Sequence, residues 1–116
     1  MTLQIYHNPR CSKSRETLQL LQQQGLHPEI ILYLDNPPDV ATLKNLLKKL
    51  GFPEPRQLIR KGEEIYKQLG LASPSLTDEA LLSAMAEHPK LIERPIVING
   101  DQARLGRPPE DVLTIL

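Results

Sequence analysis

A single cysteine, Cys11, stands in a polar segment where a reactive thiol is favoured. It follows a short apolar run and the turn-forming pair Asn8-Pro9, and it precedes a segment of helix-forming residues that begins at Ser12. A thiol at the junction of a strand and a helix lies close to unpaired backbone N–H groups and to the positive end of the helix dipole, which favour the thiolate. The thiolate is the nucleophilic form of cysteine. The position therefore predicts that Cys11 is a catalytic nucleophile.

Polar side chains around Cys11 support this prediction. Ser14 and Arg15 follow it by three and four residues, so both can lie on its face of the predicted helix and lean toward the sulfur. His7 lies just before it and can tune the charge of the thiolate or of a substrate, although an exposed loop histidine is an equal alternative. Most lone cysteines are small buried apolar residues. The charged residues at positions 10, 13 and 15 make that interpretation a poor one here.

The absence of a second cysteine limits the reaction that Cys11 can complete. Position 14 is serine, so the chain lacks a Cys-x-x-Cys pair and an external thiol must resolve any adduct on Cys11. Anion-binding surroundings suit an anionic substrate, and the same arrangement would also suit phosphate transfer. The residues alone leave both open. One cysteine and three scattered histidines have no metal-ligand spacing, so we expect no metal and no tightly bound cofactor.

Composition predicts one globular domain spanning residues 1–116. Hydrophobic residues are 40% and charged residues 24% of the chain, and 14 basic residues balance 14 acidic ones. A net charge of zero and only four aromatic residues argue against a nucleic-acid partner. The N-terminus has no leader-like segment, and no run approaches the length of a membrane span. We therefore expect a cytoplasmic monomer with no membrane association.

The elements that must position Cys11 form a β-α-β unit in the first third of the chain. Alternating residues predict a strand over Leu3 to Tyr6, and helix formers ending at Gly25 predict a helix over about 12–24. The β-branched and apolar run from Glu29 to Leu34 predicts a second, largely buried strand.

Helices are predicted for the middle of the chain and a β-β-α unit for its end. A helix from an Asp39 cap to Gly51, a short one ending at Gly70, and one from Thr77 to His88-Pro89 make a helical insertion of about 39–88. A strand beginning at Pro95 then runs into an Asn99-Gly100 turn, Gln102 to Leu105 return, and a helix starts at Pro108. The order predicts an α/β fold, a mixed sheet covered by helices.

The segment Tyr6-His7-Asn8-Pro9-Arg10-Cys11-Ser12-Lys13-Ser14-Arg15 resembles the His-Asn-Pro-x-Cys-x-x-Ser-Arg signature of the glutaredoxin-dependent arsenate reductases, the ArsC family. The resemblance continues in order through Leu58-Ile59-Arg60-Lys61, Tyr66-Lys67-Gln68-Leu69-Gly70-Leu71, Arg94-Pro95-Ile96-Val97-Ile98 and Arg107-Pro108. It is strongest to the short YfgD-like branch. It implies a thioredoxin-like fold with a helical insertion between its two halves.

The resemblance also implies residue roles. Cys11 matches the nucleophile that attacks arsenate, and the adduct is then reduced by glutathione and glutaredoxin. Arg60, Arg94 and Arg107 match three anion-binding arginines for a tetrahedral oxyanion. His7, Ser14 and Arg15 take supporting positions beside the cysteine. Pro95 matches a cis-proline that faces the active-site cysteine, which predicts a cis Arg94-Pro95 bond.

Two other functions stay open at this point. Spx-like transcriptional regulators share the fold and bind RNA polymerase without catalysis, although they typically carry Cys-x-x-Cys where this chain has Ser14. A glutathione-linked thiol transferase without an oxyanion substrate would need Cys11 but not all three arginines. Arsenate reduction requires both Cys11 and the three arginines.

Overall fold

The computed structural model describes residues 3–116, which form two compact units. One unit combines the chain up to Asn36 with Arg94–Leu116, and the other is Pro37–Glu93. Cys11, Arg94 and Arg107 belong to the first unit, whereas Arg60 belongs to the second.

The first unit is built on a mixed four-stranded sheet. It contains β1 (Leu3–Tyr6), α1 (Ser12–Gln23), β2 (Glu29–Ile31), β3 (Ile96–Asn99), β4 (Gln102–Leu105) and a closing 3₁₀ helix (Pro109–Ile115). The strand order is β2-β1-β3-β4, in which β1 and β2 are parallel and the other neighbouring pairs are antiparallel. This is a β-α-β half joined to a β-β-α half, and it confirms the predicted α/β, thioredoxin-like fold class.

Apolar residues of the sheet, of α1 and of the closing helix pack together in a buried cluster of the first unit. Its buried members are Ile5 of β1, Leu21 of α1, Val97 of β3, and Val112 and Ile115 of the closing helix. Because α1 buries Leu21 against the strands, its N-terminal end is fixed beside the end of β1. That junction is where Cys11 lies.

Two predicted elements differ from the structure. β2 is only Glu29–Ile31, and Ile30, Leu32 and Leu34 are 46%, 38% and 37% exposed, so the prediction of a largely buried strand to Leu34 is wrong. β2 is an edge strand, paired on one side only, and so its apolar run need not be buried. The closing helix is 3₁₀ rather than α. Its N-cap is Pro108 and its first residue is Pro109, and neither proline has a backbone donor.

The second unit is formed mainly by helices. These are α2 (Val40–Leu50), α3 (Glu64–Gln68) and α4 (Asp78–Glu87), with 3₁₀ turns at Pro55–Gln57 and Pro89–Leu91. Asp39 and Thr77 cap α2 and α4 by accepting hydrogen bonds from Thr42 N and Ala80 N. α2 ends at Gly51, whose φ of 75° favours glycine at that position. Among residues 3–116, no helix has both the length and the apolar character needed to cross a membrane.

Candidate active site

Cys11 is the N-cap residue of α1. Its backbone is extended, with φ of −95° and ψ of 124°, and its carbonyl accepts a hydrogen bond from Arg15 N at 3.0 Å. Its N–H donates to Asn8 O at 3.0 Å, which closes the turn between β1 and α1. The residue is 8% exposed. The sulfur thus sits where the free N–H groups of the first helical turn favour negative charge.

Arg107 brings a positive charge to the sulfur across 96 residues of sequence. Its Nη2 lies 3.9 Å from Cys11 Sγ, and its Nε donates to the carbonyl of Arg94 at 2.8 Å. The hydrogen bond to Arg94 orients the guanidinium plane of Arg107, because Nε and Nη2 belong to the same rigid group. Arg107 therefore places a guanidinium beside the sulfur and is anchored by the segment that precedes β3.

Arg94 contributes a buried donor to the same unit. Its Nε is shielded from solvent and has no hydrogen-bond partner among the described residues. A buried donor on a charged group is destabilising when it is unmatched, and an oxyanion is the kind of acceptor that satisfies it. Two of the three arginines that the resemblance implies are thus in the unit of Cys11, joined by the hydrogen bond from Arg107 to Arg94.

Cis peptide bonds flank the β3-β4 hairpin, one before β3 and one after β4. Arg94-Pro95 is cis, as the resemblance implies, and Arg107-Pro108 is cis as well, which no sequence pattern indicated. Pro95 is buried, and its carbonyl accepts a hydrogen bond from Gly106 N at 3.0 Å. The two arginine-proline segments are therefore linked by backbone as well as by the Arg107 side chain.

His7 and Ser14 form a buried polar pair beneath the Cys11 turn. His7 Nδ1 and Ser14 Oγ are 2.6 Å apart, and Ser14 Oγ also accepts from Asn8 N at 3.0 Å. His7 is 7% exposed and Ser14 is fully buried. Burial, and to a lesser extent the positive charge of Arg15, lowers the pKa of His7 below its ordinary value. When the Ser14 hydroxyl donates to Nδ1 of the neutral ring, the ring proton lies on Nε2.

The side-chain hydrogen bonds of Ser14 and Arg15 are made within the turn that holds Cys11. The Ser14 hydroxyl is occupied by His7 and Asn8, and Arg15 Nη1 donates to the carbonyl of Pro9 at 3.0 Å. Helical spacing places a residue on a face but does not choose its hydrogen-bond partner. Both side chains brace the turn that holds Cys11. The guanidinium 3.9 Å from the sulfur is that of Arg107, whose proximity sequence spacing alone could not indicate.

Arg60 lies in the second unit and is ion-paired there. Its Nη1 is 3.1 Å from Glu63 Oε1, and its Nε is 3.6 Å from Glu93 Oε1. Its backbone N–H donates to Leu91 O at 2.7 Å, beside the isolated bridge between Ile59 and Ile92. Its anion-binding role stays a prediction from the resemblance.

Comparisons with known proteins agree over nearly the whole chain. The ArsC family profile matches residues 6–115. An arsenate reductase of Haemophilus influenzae is 53% identical over 116 residues, covering 100% of each chain. The uncharacterised protein YfgD of Escherichia coli K12 is 58% identical, covering 98% of this chain and 96% of its own. The solved structure of an arsenate reductase from Vibrio cholerae has a TM-score of 0.98 and 59% identity, covering 100% of this chain and 98% of its own.

Proposed function

Because this chain belongs to the ArsC family, we propose that it reduces arsenate to arsenite, with Cys11 as nucleophile and with glutathione and glutaredoxin as the source of electrons. The observation that carries the proposal is the contact of 3.9 Å between Arg107 Nη2 and Cys11 Sγ. It joins a nucleophile to a group that binds oxyanions. Relatives named arsenate reductase support the choice of arsenate as the oxyanion.

Recognition of the substrate rests on arginine side chains. A guanidinium offers a planar fork of donors that matches two oxygens of a tetrahedral oxyanion, and lysine cannot reproduce this geometry. Arg107 is held in orientation by the carbonyl of Arg94, and Arg94 Nε is a buried donor without a protein acceptor among the described residues. We propose that these two groups bind arsenate oxygens beside the sulfur. Arg60 is proposed as the third anion-binding arginine.

The reaction begins with attack of the Cys11 thiolate on arsenic. A bond forms between sulfur and arsenic, and one arsenate oxygen leaves as water after it is protonated. Reduction of arsenic from the +5 to the +3 state needs two electrons, which two external thiols supply as they join into one disulfide. Glutathione and the glutaredoxin cysteine have the required chemistry. Water then cleaves the bond between sulfur and arsenic by adding a hydroxyl to arsenic, which releases arsenite and returns Cys11 to the thiolate.

The positive charges around the sulfur contribute to this reaction in two ways. The N-terminal end of α1 and Arg107 favour the thiolate before the attack. The same guanidinium balances the negative charge of arsenate, which would otherwise repel the thiolate. The lowered pKa of His7 favours its neutral ring, which adds no charge beside the sulfur, and His7 holds the Cys11 turn through Ser14.

The test is a coupled assay in which arsenate-dependent NADPH oxidation is followed with glutathione, glutaredoxin and glutathione reductase. We expect turnover by the natural chain and none by Cys11→Ser. We expect Arg107→Ala to lose at least about tenfold in kcat/KM, since hydrogen bonds to charged groups contribute about 1.5–3 kcal/mol.

Arg104→Ala is the matched control, because Arg104 lies on β4 and its Nη1 donates to a backbone carbonyl, that of Ala103. It should retain most of the activity. Undiminished turnover by Cys11→Ser, or equal losses in Arg104→Ala and Arg107→Ala, would refute the proposal. Glutathione-dependent disulfide reduction without arsenate turnover would identify a thiol transferase instead.

A further inference from the structure

Gly106 lies where the end of β4 meets both α1 and the cis-proline segment. It is buried, and its φ lies outside the left-handed region, so its backbone conformation does not require glycine. A Cβ at this position would overlap Thr17 Oγ1 and would lie 2.7 Å from Pro95 Cγ and 3.1 Å from Thr17 Cγ2. The first two contacts are shorter than packed atoms tolerate, and the third is unusually tight. Steric contact alone therefore demands glycine here.

Neither neighbour can move aside freely. Thr17 is fully buried in α1, and its Oγ1 donates to the carbonyl of Lys13 at 2.8 Å, so its rotamer is fixed. Pro95 is a buried ring, and its carbonyl accepts from Gly106 N at 3.0 Å. A methyl group added at Gly106 therefore pushes the end of β4 away from α1 and Pro95.

Such a displacement passes directly to Arg107, the next residue. Its Nη2 is 3.9 Å from Cys11 Sγ, which is already a long distance for a hydrogen bond, even one to sulfur. Its orientation also depends on the hydrogen bond of 2.8 Å from Nε to Arg94 O. A shift of about 1 Å at the backbone is enough to separate the guanidinium from the sulfur, and misplacements of this size reduce enzymatic rates strongly.

We propose that Gly106 is a positioning residue for the Cys11 reaction. Its missing side chain lets β4 close against Thr17 and Pro95, and this closure sets the Arg107 guanidinium at the sulfur. The inference deepens the proposed function, on which its catalytic meaning rests, but the contact itself can be measured without arsenate.

The experiment compares alkylation of Cys11 by iodoacetate, an anion, and by iodoacetamide, a neutral reagent, in the intact chain. The thiolate attacks both reagents and displaces iodide from each, so the ratio of their rate constants reports positive charge beside the sulfur. We expect Gly106→Ala to lower this ratio about fivefold, the factor that attraction between unit charges about 4 Å apart gives in water. Arg107→Ala should lower it similarly.

Two further variants separate positioning from a general structural effect. Gly62→Ala is the matched control, because a Cβ at Gly62 meets nothing within 4 Å and its φ is not positive. It should leave the ratio unchanged. In an Arg107→Ala background, Gly106→Ala should cause no further fall, since it acts through Arg107. An unchanged ratio in Gly106→Ala, or an equal further fall without Arg107, would overturn the inference.

If Gly106→Ala folds poorly, the double variant Gly106→Ala/Thr17→Ala tests the steric argument in its place. Removal of both Thr17 atoms that face the new methyl relieves part of the overlap, so the double variant should recover part of the ratio, with Thr17→Ala alone as its reference. No recovery in a folded double variant would contradict the steric argument. If Gly106→Ala lowers the alkylation ratio as expected but the natural chain does not turn over arsenate, the proposed function fails while the positioning role of Gly106 stands.

Discussion

Replacement of Ser14 by alanine tests whether a buried hydroxyl holds the Cys11 turn. Ser14 Oγ is fully buried and has two partners, His7 Nδ1 at 2.6 Å and the N–H of Asn8 at 3.0 Å. Alanine leaves both groups without their acceptor or donor. A buried polar group that loses its partner costs about 1–3 kcal/mol, and Asn8 is only partly buried. We therefore expect Ser14→Ala to lower the free energy of unfolding by about 2–4 kcal/mol.

Urea denaturation followed by circular dichroism measures this loss. Ser12→Ala is the matched control, because Ser12 begins the same helix and is exposed. Its effect should stay within about 0.5 kcal/mol. The alkylation rate of Cys11 should change in Ser14→Ala and not in Ser12→Ala, since the turn that places the sulfur is loosened. A loss below about 0.5 kcal/mol in Ser14→Ala would refute the role given to the pair.

Three other outcomes are expected. Because burial lowers the pKa of His7, the stability linked to its neutral form is present above the ordinary value of 6.5 and is lost as pH falls through the lowered value. Over this pH range, the free energy of unfolding of the natural chain should fall relative to that of His7→Asn. Parallel curves of stability against pH for the two proteins would contradict this. Thr77→Ala removes the cap of α4, a hydrogen bond from Ala80 N at 3.1 Å, and should lower the free energy of unfolding by about 0.5–2 kcal/mol, whereas Thr77→Ser should retain it. Arg60→Ala, Arg94→Ala and Arg107→Ala should each weaken arsenate protection of Cys11 against iodoacetamide by about 1.5–3 kcal/mol, and full protection in any one removes that arginine from the site.

The local sequence predicted the helices whose ends carry capping residues. Asp39 and Thr77 mark helix starts because their side-chain oxygens accept helix N–H groups, and Gly51 marks a helix end because its φ is positive. The length and burial of β2 were predicted wrongly because an apolar run shows hydrophobicity but not which of its sides is covered. Burial depends on neighbours from elsewhere in the chain.

The site divides in the same way. The placement of Cys11 at the junction of β1 and α1 could be predicted because it depends on local sequence. The proximity of Arg107 to the sulfur could be expected only from the family resemblance, since 96 residues separate the two. Gly106 escaped notice because its demand is steric and comes from Thr17 and Pro95, which no pattern around it reveals. The acceptor of Arg15, the carbonyl of Pro9, could not be predicted because spacing fixes only the helix face of a side chain.

The central claim, that Cys11 reduces arsenate only with thiols from outside the chain, is tested most directly by measuring the arsenite formed per chain. With glutathione and glutaredoxin, the natural chain should form many arsenite molecules per chain, and Cys11→Ser should form none. Without an external thiol, the natural chain should form none either, because its one cysteine can make the first adduct but cannot supply two electrons. Repeated turnover with arsenate as the only added reactant, or arsenite formation by Cys11→Ser, would contradict the account.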